Sequence, residues 1–250
     1  MVAALPPSFW PILLGVLGTV FGSFIATLAI RWPQGRSIAV GRSACDGCGR
    51  TLQGSELVPL VSYIALRGRC RSCGICIAPG HPVTELLGAT IGMVAGLVAP
   101  GVDGVAGAIC GWLLLASGTI DLAAFWLPDR LTAALAIAAL VGGAAGIAPD
   151  VTDRMIGGAG GFAALSLVAT LYRRIRGRTG LGGGDPKLFG AIGLWLGWRA
   201  LPSVLLIASI AGLAIVAVMA LAGRRPAASD RLPLGTLLAA AAFLCWTLSA

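Results

Sequence analysis

Eight apolar runs recur along the chain, at about 9–31, 83–99, 104–121, 131–148, 154–172, 187–200, 202–222 and 232–249, each near the length that crosses roughly 30 Å of hydrocarbon. Only 11% of the 250 residues are charged against 57% hydrophobic, and the mean hydropathy is +0.91, far from ordinary soluble composition. These features predict an all-α integral membrane protein with about eight transmembrane helices. The sixth run is short, and the glycines before it leave its start unwound, which is tolerated at membrane depth only under cover of protein or a wet cavity. Small residues dominate several runs, which suits close helix packing in lipid. The first run follows no basic residue and no small-residue cleavage site, so it reads as a retained helix rather than a secretory signal. It enters from outside, with Trp10 near the outer interface.

The net charge of +8 does not point to nucleic acid, because the basic residues lie in short segments between apolar runs rather than on an exposed domain. Alternating sides along eight spans places Arg31, Arg36, Arg42, Arg50, Arg67, Arg69, Arg71, Arg130, Arg173, Arg174, Arg176, Arg178, Lys187, Arg224, Arg225 and Arg231 on one side, and only Arg154 and Arg199 on the other. The first side is therefore expected to be cytoplasmic, with both termini outside. Asp103, Asp150 and Asp153 then fall in short outer loops as solvated turn residues.

The sequence predicts three segments: a first helix over 1–31, a cytoplasmic cysteine loop over 32–82, and a seven-helix membrane domain over 83–250. The loop carries CDGC at 45–48 and CRSC at 70–73. Two C-x-x-C pairs let Cys45, Cys48, Cys70 and Cys73 converge on one zinc ion, and a reducing compartment disfavours disulfides. The loop has too few large apolar residues to fold around a core, so a structural metal is physically useful. Cys76 extends the second pair and reads as spare. Cys110 and Cys245 read as small buried hydrophobes, and the lone His81 as structural.

Two acids stand out. Asp121, in SGTIDLAAFWLPDRLT, closes the third run, and Asp185, in GLGGGDPKLFG, opens the sixth. Both fall at the cytoplasmic face. A carboxylate at helix depth is expensive and defaults to function, although a helix N-cap is the plain alternative for Asp185. Two carboxylates sharing a site do not both ionise easily, so the pair can act as acid and base on a peptide bond. Gly182, Gly183 and Gly184 leave room for an extended substrate backbone to approach Asp185. Lys187 either steadies the ionised acid or anchors its helix at the headgroups. Asp129, in LPDR, reads as a helix N-cap. The stretch lacks the spacing of a phosphate loop.

These motifs resemble the bacterial type IV prepilin peptidases, membrane aspartyl proteases of the GxGD class. The resemblance runs from FGSFIATLAIRWP through RSACDGCG, LVPLVSYIALRGRCRSCG and HPVTELLG to TIDLAAFWLPDRLT and GLGGGDPKLFGAIGLWLGW. It implies that Asp121 and Asp185 are the catalytic acids; on the reading of the residues above, Gly182, Gly184 and Lys187 are the expected substrate-binding or supporting residues beside them. The implied reaction cuts the basic leader of a prepilin or pseudopilin after a glycine at the cytoplasmic face of the inner membrane. Many members then methylate the new amino terminus with S-adenosylmethionine. Ala26 stands where the family usually has asparagine, and Gly80-His81 where it has Arg-Tyr, both in or beside the part associated with methylation. Asp46 and Glu56 could attract a basic leader. A transporter using Asp121 and Asp185 as a proton or cation relay is the rival reading, and an inactive zinc-stapled scaffold a third. Neither accounts for the glycine-aspartate motif.

Overall fold

The computed structural model describes residues 6–37, 42–45, 47–223 and 232–250. Asp46, Arg224, Arg225 and Arg231 lie outside the described residues. The elements in chain order are α1 (Phe9–Arg31), α2 (Val61–Ala65), α3 (Gly80–Val98), α4 (Val102–Ala124), α5 (Asp129–Ala144), α6 (Val151–Arg176), α7 (Asp185–Leu196), α8 (Leu201–Leu221) and α9 (Leu234–Ser249). Leaving out the short α2, a helix stands at each of the eight predicted runs. By length and apolarity, five segments suffice to cross a membrane: Phe9–Gln34, Gly80–Val98, Val102–Ala124, Val151–Arg176 and Trp198–Leu221. The chain is a multi-pass membrane protein. Its helices turn large apolar side chains outward, among them Leu206, Ile210, Leu213 and Leu221 on α8, a surface stable in lipid and not in water.

The chain forms two compact units, Met1–Ala108 and Ile109–Ala250. In the first, α1 packs along α3 at backbone contact distance. Gly18 and Gly88 face each other so closely that a Cβ on either would strike the other's carbonyl. With no water to drive helices together in lipid, such close packing supplies the attraction. Between these helices the chain forms the cysteine lobe, which contains α2 and two isolated β-bridges, Ala44 to Thr51 and Arg69 to Cys76.

In the second unit α7 is the central element. It is 12 residues long and buries nine of them, including Leu188, Phe189, Ile192 and Trp195. Leu135 of α5, Leu165 of α6, Val204 of α8 and Leu238 of α9 complete the core around it. Gly157 of α6 and Gly193 of α7 meet backbone to backbone, as Gly18 and Gly88 do in the first unit.

Charge counting treats Arg154 as one of two residues on the outer side. The residue is in fact 1% exposed, and its guanidinium is bound inside the protein. Nε donates to Pro149 O at 2.8 Å, and Nη1 to Ala139 O, Leu194 O and Trp195 O at 2.9, 2.9 and 3.2 Å. Nη2 donates to Ile147 O and Ala148 O, both at 3.0 Å. One side chain thus bonds carbonyls of α5, of the α5–α6 loop and of the last turn of α7; those of the loop and of the α7 end lack a helical donor and would be left unpaired in lipid. Asp150 and Asp153, expected as solvated turn residues, also have structural partners. Asp150 caps α6 by accepting from Asp153 N at 2.8 Å, and Asp153 accepts from Trp198 Nε1 at 3.1 Å.

Replacing Arg154 by methionine keeps most of the volume but orphans the carbonyls of the loop and of the α7 end. The expected loss is about 3 kcal/mol of stability, with Arg154→Lys recovering part of it, read by thermal unfolding in detergent.

Candidate active site and metal centre

Asp121 lies in the last turn of α4 and Asp185 is the first residue of α7; each is 6% exposed. Both belong to the second unit. Each carboxylate is held through Oδ2 by a backbone amide. Gly182 N donates to Asp185 at 2.9 Å, and Thr236 N, in the first turn of α9, donates to Asp121 at 2.9 Å. Leu127, from the segment joining α4 to α5, packs beside both acids: a Cβ on Gly184 would lie 2.6 Å from Leu127 Cβ, and one on Gly235 would lie 2.8 Å from Leu127 Cδ1.

The three glycines before Asp185 differ in their surroundings. Gly184 leaves room for Leu127, a Cβ on Gly182 would sit 3.1 Å from Asp185 Oδ2, and only Gly183 faces open space. Asp185 is not an N-cap. Gly184 holds that position, and the Asp185 carboxylate turns back to the Gly182 amide.

Asp129 is likewise not the N-cap expected of LPDR. Pro128 occupies that position, its carbonyl accepting from Leu131 N at 3.0 Å. This leaves the Asp129 carboxylate free to take the Lys187 ammonium, with Nζ donating to Oδ1 and Oδ2 at 2.7 and 2.8 Å. Lys187 therefore ties the first turn of α7 to the first turn of α5. This ion pair is exposed, so its energetic contribution is small.

In the first unit the four cysteines converge. The Sγ atoms of Cys45, Cys48, Cys70 and Cys73 all lie within 4.8 Å of one another, and Cys45 and Cys73 are 3.8 Å apart. A tetrahedral zinc with bonds of about 2.3 Å needs sulfurs about 3.8 Å apart, so the cluster fits that ion.

The two C-x-x-C turns repeat one local design. Cys45 N donates to Arg50 O and Gly49 N to Cys45 O; Cys70 N donates to Ile75 O and Gly74 N to Cys70 O. Gly49 and Gly74 close the turns at φ of 70° and 69°, where side chains are disfavoured. The backbone amides of Cys73 and Ser72 bring the Cys70 thiol down to about 6. At Cys73 the Ile75 amide pulls the same way, but burial and the neighbouring thiols push it up to about 11. Four clustered thiolates repel one another, and a divalent cation removes that conflict.

Arg50 lies beside Cys70, donates to Glu56 Oε1 at 2.6 Å, and has a buried Nε with no hydrogen-bond partner. Its charge complements a metal-bound tetrathiolate. The same ion pair holds Glu56 below the usual carboxylate range. Cys76 stands outside the cluster and exposed, Cys110 is buried, and Cys245 is partly buried.

A cavity of about 450 Å³ lies in this first unit, with Arg31, Arg36, Arg42, Tyr63, His81 and Glu85 in its wall. Glu85 is 7% exposed, and its Oε2 accepts from Leu60 N at 2.8 Å.

Residues 16–98 match the bacterial peptidase A24 N-terminal domain, and residues 108–217 match the type IV leader peptidase family. A prepilin leader peptidase/N-methyltransferase of Burkholderia pseudomallei is 38% identical over 95% of this chain and 85% of its own length. The chain belongs to the type IV leader peptidase family. Relatives bearing the same name in Aeromonas hydrophila and Klebsiella pneumoniae are each 36% identical over 83% of this chain, covering 72% and 94% of their own lengths. No solved structure matches.

Sequence reasoning missed Thr236, Arg50 and the clasp by Arg154. Nothing in PLGTLLAAAA marks its threonine. Arg50 was legible only as one more basic loop residue.

Zinc content measured by atomic emission is expected near one ion per chain. Cys48→Ser and Cys73→Ser should lose it and Cys76→Ser should keep it. Chelation is expected to open the cysteine lobe to limited proteolysis, because little else holds that segment together.

Proposed function

We propose that this family member is a membrane-embedded aspartyl endopeptidase that cuts the basic leader from a prepilin or pseudopilin after a glycine, at the cytoplasmic face of the inner membrane. The observation carrying this reading is the pair of buried acids, Asp121 and Asp185, each held by a backbone amide and flanked by the same residue, Leu127. The ionised acid takes a proton from water as its oxygen bonds to the peptide carbonyl carbon, and the protonated acid gives its proton to the carbonyl oxygen. The tetrahedral intermediate collapses when the first acid returns its proton to the leaving nitrogen and the second recovers one from the hydroxyl. The C–N bond breaks and both acids return to their starting states. Gly183, beside open space, suits an extended substrate strand.

Relatives named N-methyltransferase support a second activity on the new amino terminus. S-adenosylmethionine would supply an electrophilic methyl group. The 450 Å³ cavity falls within the range of about 300–1,000 Å³ usual for small-molecule sites. Its arginines suit the donor's carboxylate, Glu85 its positive charges and Tyr63 its adenine ring. Of the two departures from the family pattern, His81 is in the cavity wall; Ala26 is packed inside α1, between the lining residues Ser23 and Thr27. In this reading zinc is structural and shapes that cavity from the cysteine side. The basic segments support placing both termini on the periplasmic side and the cysteine lobe and acids on the cytoplasmic side.

The test is cleavage of a prepilin with its leader intact, in detergent, with mass spectrometry of the new amino terminus. Asp121→Asn and Asp185→Asn should each lower the rate by at least about a thousandfold while staying folded. Asp129→Asn should remain within about fivefold of the parent, since it breaks only an exposed ion pair. Cleavage by both of the first two variants would refute the assignment, and a product lacking the added methyl mass would refute the second activity.

A further inference from the structure

Thr236 offers Asp121 two donors, where Asp185 has the Gly182 amide. The Thr236 amide is 2.9 Å from Asp121 Oδ2 and the hydroxyl oxygen is 3.3 Å from the same atom. That hydroxyl is also 2.8 Å from Gly118 O, one turn earlier on α4. A hydroxyl has one proton and a carbonyl can only accept, so the proton serves Gly118 O or Asp121 Oδ2, never both. When it points to Gly118, the oxygen lone pairs of Thr236 face Oδ2, where they can accept from a protonated carboxyl. When Asp121 is ionised, rotation about one bond turns the proton to Oδ2, with no heavy atom moving.

The approach is built into the fold. A Cβ on Gly235 would lie 3.0 Å from Asp121 Oδ2, so a glycine there lets the first turn of α9 close on α4.

We propose that Thr236 is a positioning residue of the peptidase site, whose hydroxyl proton turns between Gly118 O and Asp121 Oδ2 as Asp121 loses and regains its proton in each turnover. The inference rests on Asp121 being one of the catalytic acids. It makes Asp121 the acid that starts each cycle ionised and takes the proton of water, with Asp185, held by one amide, as the initial donor. Among the described residues the other charges near the pair are few. Asp185 lies on α7, Lys187 of α7 is bound to Asp129 of α5, Arg130 of α5 is exposed, and α9 carries no acidic or basic residue from Leu234 to Ser249.

The test compares pH profiles of kcat/KM for prepilin cleavage in the parent, Thr236→Val, Thr236→Ser and Thr236→Ala. Valine keeps the shape and the backbone amide but removes the hydroxyl. Alanine serves as a second hydroxyl-free variant that adds no bulk. Loss of a donor disfavours ionised Asp121, so the acid limb of both hydroxyl-free variants is expected to move up by about one pH unit, with a roughly tenfold fall in rate at pH values below the parent's limb. KM should hardly change, and serine should restore both limb and rate.

An acid limb unmoved in valine and alanine overturns the inference, as does a serine variant displaced like valine. Asp121→Asn, run in parallel, separates the two failures. If it cuts prepilin, the catalytic reading has failed; if it is inactive while the valine profile stays in place, only the role of Thr236 has.

Discussion

A helix of 12 residues is about 18 Å long, too short to cross the hydrocarbon unaided, and α7 is such a helix. It is stable because protein covers it on every side, and much of the second unit serves that requirement. Arg154 satisfies carbonyls in its last turn, Lys187 ties its first turn to α5, and Gly193 brings α6 into backbone contact. What this enclosure presents, at the mouth of the helix, is Asp185. An acid there needs fixed donors rather than bulk water, and the Gly182 amide is one.

The packed helices and the cysteine lobe are stabilised by different means. In the second unit, buried leucines, alanines and glycines pack between helices, and the outward faces are left for lipid. The cysteine lobe of the first has no comparable core. Its order comes from two similar turns that gather four sulfurs around a zinc-sized space, with Arg50 beside them as counter-charge. The cavity wall draws on this lobe and on α1 and α3 together, so its shape depends on the cluster staying closed.

Much of the site was legible in the sequence because its chemistry is written in residue type and spacing. Two C-x-x-C pairs announce a tetrahedral cluster before any fold is known, and an aspartate at the end of an apolar run is too costly to be idle. Local reasoning failed where two distant segments compete for one group. LPDR reads as a cap for α5, but Pro128 takes that position and Asp129 is claimed by Lys187, 58 residues away. Arg154 looks like a topological marker, yet its charge is used for hydrogen bonding inside the protein.

By itself, the sequence determined that the chain is helical and membrane-embedded, where its helices fall, which cysteines cluster and which two acids stand out. These follow from periodicity, hydropathy and spacing, all local properties. Only the tertiary structure decided how the acids are held: Thr236 reaches Asp121 across 115 residues, and Gly235 matters because a carboxylate occupies the space its side chain would fill. Hydrogen-bond partners in lipid are chosen by proximity in space, and no local pattern encodes which distant amide will supply the proton.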